Sequence, residues 1–158
     1  MPKLRKGFWI YLPVAIFAWI TPFTTSVKAE PTSIVVTSLL DDGSDGTLRW
    51  AINQANATSG GVYDAITFDS GGVVTLTSDL PAITADVSIT GNGIGNTIID
   101  GDGLYRVIYN NGQRNISISN MSLTNGKVAA GGLVWTNQGT FTVTNVRFSD
   151  TPHYAWYQ

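Results

Sequence analysis

Ile116-Ser-Ile-Ser-Asn-Met-Ser-Leu-Thr-Asn125 returns twenty-five positions later as Phe141-Thr-Val-Thr-Asn-Val-Arg-Phe-Ser-Asp150. Ile116 meets Phe141 in this alignment, Ile118 meets Val143, Asn120 meets Asn145, Met121 meets Val146 and Leu123 meets Phe148. Reading backward, Val87-Ser-Ile-Thr-Gly91 matches Ile116-Ser-Ile-Ser-Asn120 at a spacing of twenty-nine. Echoes at periods of roughly 20 to 50 residues mark a solenoid, in which each unit buries its apolar face only by stacking on the next. Hairpins in a sandwich would not need such long echoes. A coil of three short strands, each paired in parallel with its counterpart about 4.8 Å away, accounts for both spacings and predicts an all-β parallel β-helix.

The rest of the chain fits the same plan. From Ala65 onward apolar residues alternate: Ile66 and Phe68, Val74 and Leu76, Val87 and Ile89, then Ile98, Val107, Ile116, Ile118, Phe141 and Val143 are expected to point inward. Gly71-Gly72, Gly91-Asn92-Gly93, Asp100-Gly101-Asp102-Gly103 and Asn125-Gly126 interrupt them as turns, because Gly and Asn accept positive φ at little cost. Asn120 over Asn145 reads either as an internal amide ladder or as two solvent-facing turn residues, and the habit of stacked Asn side chains to bond one another favours the ladder.

Before the coils, Ser33 to Leu39 is β-branched and short, as a strand requires. Leu48, Ala51, Ile52 and Ala55 then recur at helical spacing. The helix spans 47–56 with Thr47 as N-cap, and Gly60-Gly61 mark its exit. A helix here would cover the hydrophobic cross-section that the first coil of a solenoid exposes. Trp50 falls off its apolar face and is either a partner contact or, as large aromatics prefer, packed under the loop near Gly71.

Ahead of all this, Lys3, Arg5 and Lys6 precede an apolar run from Phe8 to Ile20, with Val27 and Ala29 before Glu30. That order predicts a secretory signal peptide over 1–29, cleaved after Ala29. The remaining chain is acidic: five basic residues stand against eleven acidic ones, a net charge of minus six. Nucleic acid, which is held by Lys and Arg, is therefore excluded as a partner. The chain has no cysteine, so it has neither disulfides nor thiolate metal sites, a pattern that fits a bacterial envelope protein. The expected organisation is a signal peptide over 1–29, a strand and helix cap over 30–82, coils over 83–150 and an irregular tail over 151–158. Ending so soon after the third echo, the chain reads as a fragment of a longer protein.

Gly46-Thr-Leu-Arg-Trp-Ala-Ile-Asn-Gln-Ala-Asn56 resembles the N-terminal segment of bacterial surface proteins named for a Cys-Ser-Leu-Arg-Glu-Ala motif. Leu48, Arg49, Ala51, Ile52, Ala55 and Asn56 stand where that family has them, whereas Gly46, Thr47 and Trp50 replace its Cys, Ser and Glu. Ile34 to Thr37, Asp64 to Phe68, Leu80 to Ile83 and Thr97 to Gly101 also look like it, so the likeness covers 33–150. The resemblance implies a right-handed, pectin-lyase-like β-helix akin to autotransporter passengers and polymorphic outer-membrane proteins. It implies a fold and a place, secreted or at the cell surface, and no reaction.

Enzymatic β-helices gather carboxylates and a basic residue on one outer strand face, to hold Ca2+ or to perform acid-base work. Asp100, Asp102, Asp150 and Arg106 are the candidates, but Asp before Gly is first a turn pair. His153, the single histidine, lies in the tail, and Gly91 to Gly95 lacks the following helix that a phosphate loop needs. No catalytic, cofactor or metal residue is therefore assigned. The expected function is a non-enzymatic, adhesin-like surface module meeting a carbohydrate or other cell-surface ligand. Membrane contact would come only through export or an anchor beyond this chain. The alternative is a polysaccharide lyase or glycoside hydrolase lacking most of its active coils.

Overall fold

The computed structural model describes residues 30–58, 63–127, 132–149 and, for the backbone, 156–157. The stretch 1–29 read as a signal peptide, Gly60, Gly61, Asp150 and His153 lie outside the described residues. Among the described residues, ten strands and one helix follow in the order β1 (Ser33–Val36), α1 (Leu48–Ala57), β2 (Asp64–Phe68), β3 (Gly72–Thr75), β4 (Val87–Thr90), β5 (Thr97–Asp100), β6 (Ile108–Gln113), β7 (Ile116–Thr124), β8 (Val134–Gln138), β9 (Phe141–Ser149) and β10 (Trp156–Tyr157).

Every ladder between these strands is parallel. The chain is a β-solenoid of about three turns. Its first face is the succession β1-β2-β4-β7-β9, its second β3-β5-β7-β9, and its third β6-β8-β10. β7 and β9 are long enough to serve two faces each, bending at Asn120 and Asn145. Both residues hold positive φ, 55° and 53°, the left-handed region in which Asn is tolerated. The two expected spacings are met, since Val87 pairs with Ile116 and Ile116 with Phe141.

Stacking produces the core. On the first face Ile34, Ile66, Ile89, Ile118 and Val143 form one row, and the first four are buried. On the second, Val74, Ile99, Leu123 and Phe148 do the same. Each fully buried aliphatic contributes about 1.5–3 kcal/mol by transfer from water. One expectation is corrected: Ile98 points outward, and its neighbour Ile99, 1% exposed, is the core residue. Both are isoleucines, so alternation alone could not choose between them; the pairing of Ile99 with inward Leu123 does.

Asn145 Nδ2 donates to Asn120 Oδ1 at 2.8 Å, so the amide ladder forms. It is not internal, because Asn120 is only half-buried and Asn145 is exposed.

α1 forms as expected. Thr47 Oγ1 accepts from the Trp50 N–H at 3.2 Å, and Leu48, Ala51, Ile52 and Ala55 are buried in the same cluster as the coil interior. Trp50 is half-buried against that cluster. The helix contacts β1 and β2. Its polar residues Arg49 and Asn56, seven apart and so nearly aligned on the helix, grip the segment that follows β3. Arg49 pairs Nε and Nη2 with the two carboxylate oxygens of Asp41, at 2.9 and 2.7 Å, and donates to the carbonyls of Ser78 and Asp79. Asp41 also accepts from the Thr77 N–H at 2.7 Å. Asn56 donates to the Ala82 carbonyl and accepts from the Thr84 N–H, both at 2.8 Å. Gly46, just before the helix, adopts φ of 85° and a Cβ would collide with Thr37 Oγ1, so this position accepts only glycine without rearrangement.

Candidate functional site

The second face carries two outward rows of side chains. Alternation sends Val74, Ile99, Leu123 and Phe148 inward and their neighbours outward. One row is Val73, Ile98, Ser122 and Arg147; the other is Thr75, Asp100, Thr124 and Ser149. Although they face outward, Ser122 and Thr124 are buried. They are flanked on both sides by the side chains of neighbouring strands, and with Gly95 and Asn125 they line a hollow in this face. The hollow so formed has a volume of about 340 Å3, within the range of small-ligand sites.

Its chemistry is mixed. Val73 and Ile98 give an aliphatic stretch, and Ser122, Thr124 and Ser149 give a run of hydroxyls. Ser149 Oγ donates to Thr124 Oγ1 at 3.3 Å. Among the described residues, Asp100 and Arg147 are the charged side chains lining it. They sit two strands apart, and the single ion pair among the described residues is that of Arg49 with Asp41. Asp100 Oδ1 accepts from the Asp102 N–H at 2.9 Å, an Asx turn that fixes the carboxylate at the end of β5.

Of the four residues weighed for catalysis, three are described, and Arg106 lies apart from Asp100 and Asp102. Asp100 lines the groove. Asp102 is on the turn, at φ of 54°, as its place before Gly103 predicts, and Asp150 is outside the described residues. Arg106 is elsewhere: its N–H donates to Asp79 Oδ1 at 2.8 Å, and its guanidinium lies 5.0 Å over the Tyr109 ring. Tyr109 in turn meets Trp135, the next residue in its row on the third face, with centroids 4.9 Å apart. Gly91 to Gly95 leads through a turn into β5, with no helix behind it. Among the described residues, no three acidic or histidine side chains are grouped to hold a metal ion.

Sequence reasoning missed Arg147, Ser122, Thr124 and Ser149. The signal was present in the opening repeat: once Leu123 and Phe148 are inward, Ser122 over Arg147 and Thr124 over Ser149 must face out. The fold and the groove define the class: a parallel β-solenoid with a lateral hollow of mixed polar and aliphatic lining. Compared with protein-family models, curated proteins and solved structures, the chain matches none.

Proposed function

We propose that the chain is an exported, non-enzymatic surface module, adhesin-like in role, that meets carbohydrate through the groove on its second face. In this reading 1–29 is a cleaved signal peptide, the coils wind right-handed as in pectin-lyase-like proteins, and the mature protein is secreted or held at a bacterial cell surface. The observation that carries the reading is the sheltered hydroxyl run of Ser122, Thr124 and Ser149 beside Val73 and Ile98. Hydroxyls that both donate and accept, set beside aliphatic carbons, complement a sugar ring with its polar rim and apolar faces. Export is tested by expressing the full chain in a Gram-negative host. Mature protein outside the cytoplasm, beginning at Glu30, supports it; intact chain retained in the cytoplasm overturns it. Binding is tested on immobilised oligosaccharides, where Thr124→Val with Ser149→Ala should remove the signal and an outer-face change on β1, Val35→Thr, should not.

A lyase or hydrolase reading is favoured by one observation, the presence of Asp100 and Arg147 on the same face. Glycoside hydrolysis takes two carboxyl groups flanking the bond, and the described lining supplies one. Ca2+-dependent cleavage of a polyuronate, lost in Asp100→Ala, would reverse the order of the two readings.

A further inference from the structure

Asp100 and Arg147 give the groove a charge pattern as well as a shape. Asp100 stands in the row Thr75, Asp100, Thr124, Ser149, with neutral residues on both sides. Arg147 stands in the neighbouring row, two strands further along the stack and two residues earlier on its strand than Ser149. Strand spacing and rise separate their backbones by about 10 Å across the strands and about 6.6 Å along them. They do not pair with each other: the ion pair among the described residues is that of Arg49 with Asp41. Resting on the carbohydrate reading above, we propose that the groove selects a zwitterionic oligosaccharide, with an amino-sugar ammonium at Asp100 and an acidic-sugar carboxylate at Arg147.

The pairing chemistry is specific at each end. An ammonium donates to the carboxylate of Asp100, whose Oδ1 is already oriented by the Asp102 N–H, and a carboxylate receives the planar guanidinium of Arg147 two bonds at a time. Between them lie Ser122 and Thr124 on β7, with Ser149 beside Arg147 on β9; these hydroxyls match those of a sugar ring. An extended peptide of the same charge pattern fits less well. The groove floor is β5 and β7, each paired on both sides, so their backbone groups are spent in ladders and a peptide laid across that floor finds no strand edge there to extend.

The test uses the full chain and an alternating glucosamine–glucuronate oligosaccharide with free amines, measured by calorimetry. N-acetylation, which removes the ammonium, and carboxyl reduction, which removes the acid, should each weaken binding about tenfold or more, the worth of a hydrogen bond to a charged group. Asp100→Asn should erase the effect of acetylation and leave that of reduction; Arg147→Gln should do the converse. Equal binding of all three sugars, with the hydroxyl variant still inactive, overturns the charge selection and leaves the carbohydrate reading standing. Failure of every sugar to bind the folded protein removes both. A Lys- and Glu-bearing extended peptide binding as tightly as the zwitterionic sugar overturns the choice of saccharide.

Discussion

The two ends of the stack are built from the same row of residues and differ in what lies beyond them. At one end Ile34 and Val36 of β1 are buried, because α1 brings Leu48, Ala51, Ile52 and Ala55 against the same cluster. At the other, Val143 of β9 occupies the position of Ile34 and Ile118 yet is 36% exposed. Among the described residues no strand pairs with the far side of β9 on the first face. Burial in a solenoid is thus a property of the neighbour and not of the residue. An identical inward position is worth its full transfer energy in the middle of the stack and a fraction of it at an uncovered end.

The sharpest way to break this comparison is to place one charge at two heights in the same row. Ile118→Asp sets a carboxylate between Ile89 and Val143, where nothing can pair with it, and should cost about 4 kcal/mol or more by urea unfolding followed by circular dichroism. Val143→Asp should cost less than half as much; equal losses would mean that β9 is covered as completely as β7. Next, Arg49→Ala attacks the covered end. It leaves Asp41, whose side chain is fully buried, without the guanidinium that neutralises it, and should cost about 3–5 kcal/mol. Arg49→Lys should recover only part of this, since an ammonium lacks the planar fork that spans both oxygens of Asp41. An unchanged unfolding midpoint in Arg49→Ala would show that α1 is held by its apolar face alone. A smaller effect is expected at the corner of β9. Asn145→Ala, forced to hold positive φ and deprived of its bond to Asn120, should lose about 1–2 kcal/mol, and Asn145→Gly should lose less, because glycine takes that conformation freely. Smallest of all, Val143→Ala should cost below about 1 kcal/mol, against about 2–5 kcal/mol for Ile118→Ala.

How much of this was legible follows from the kind of pattern each feature leaves. Parallel stacking was legible because every coil restates it: the positions of Ile89, Ile118 and Val143 carry the same message three times. The helix was legible from two turns of spacing and one capping threonine. Arg49 was visible as a motif residue but its partner was not, since Asp41 lies in an Asp- and Gly-rich stretch that reads only as a loop. The groove was hidden for a related reason. Asp100, Ser122 and Arg147 come from three different coils, and only the register of β5 on β7 and of β7 on β9 aligns them. Ile98 shows the limit within one strand, where two adjacent isoleucines leave the inward face undecided until a neighbouring strand selects one.

The corners between the first two faces have a practical meaning. Between β7's two halves and between β9's, one asparagine makes the bend; between β4 and β5 the same bend takes the six residues from Gly91 to Asn96. The strands on either side keep their pairing regardless. Corner length is therefore decoupled from register, which makes Asn145 a natural graft point: a foreign epitope inserted there would ride on the outside of the stack while the ladders beneath it stay as they are.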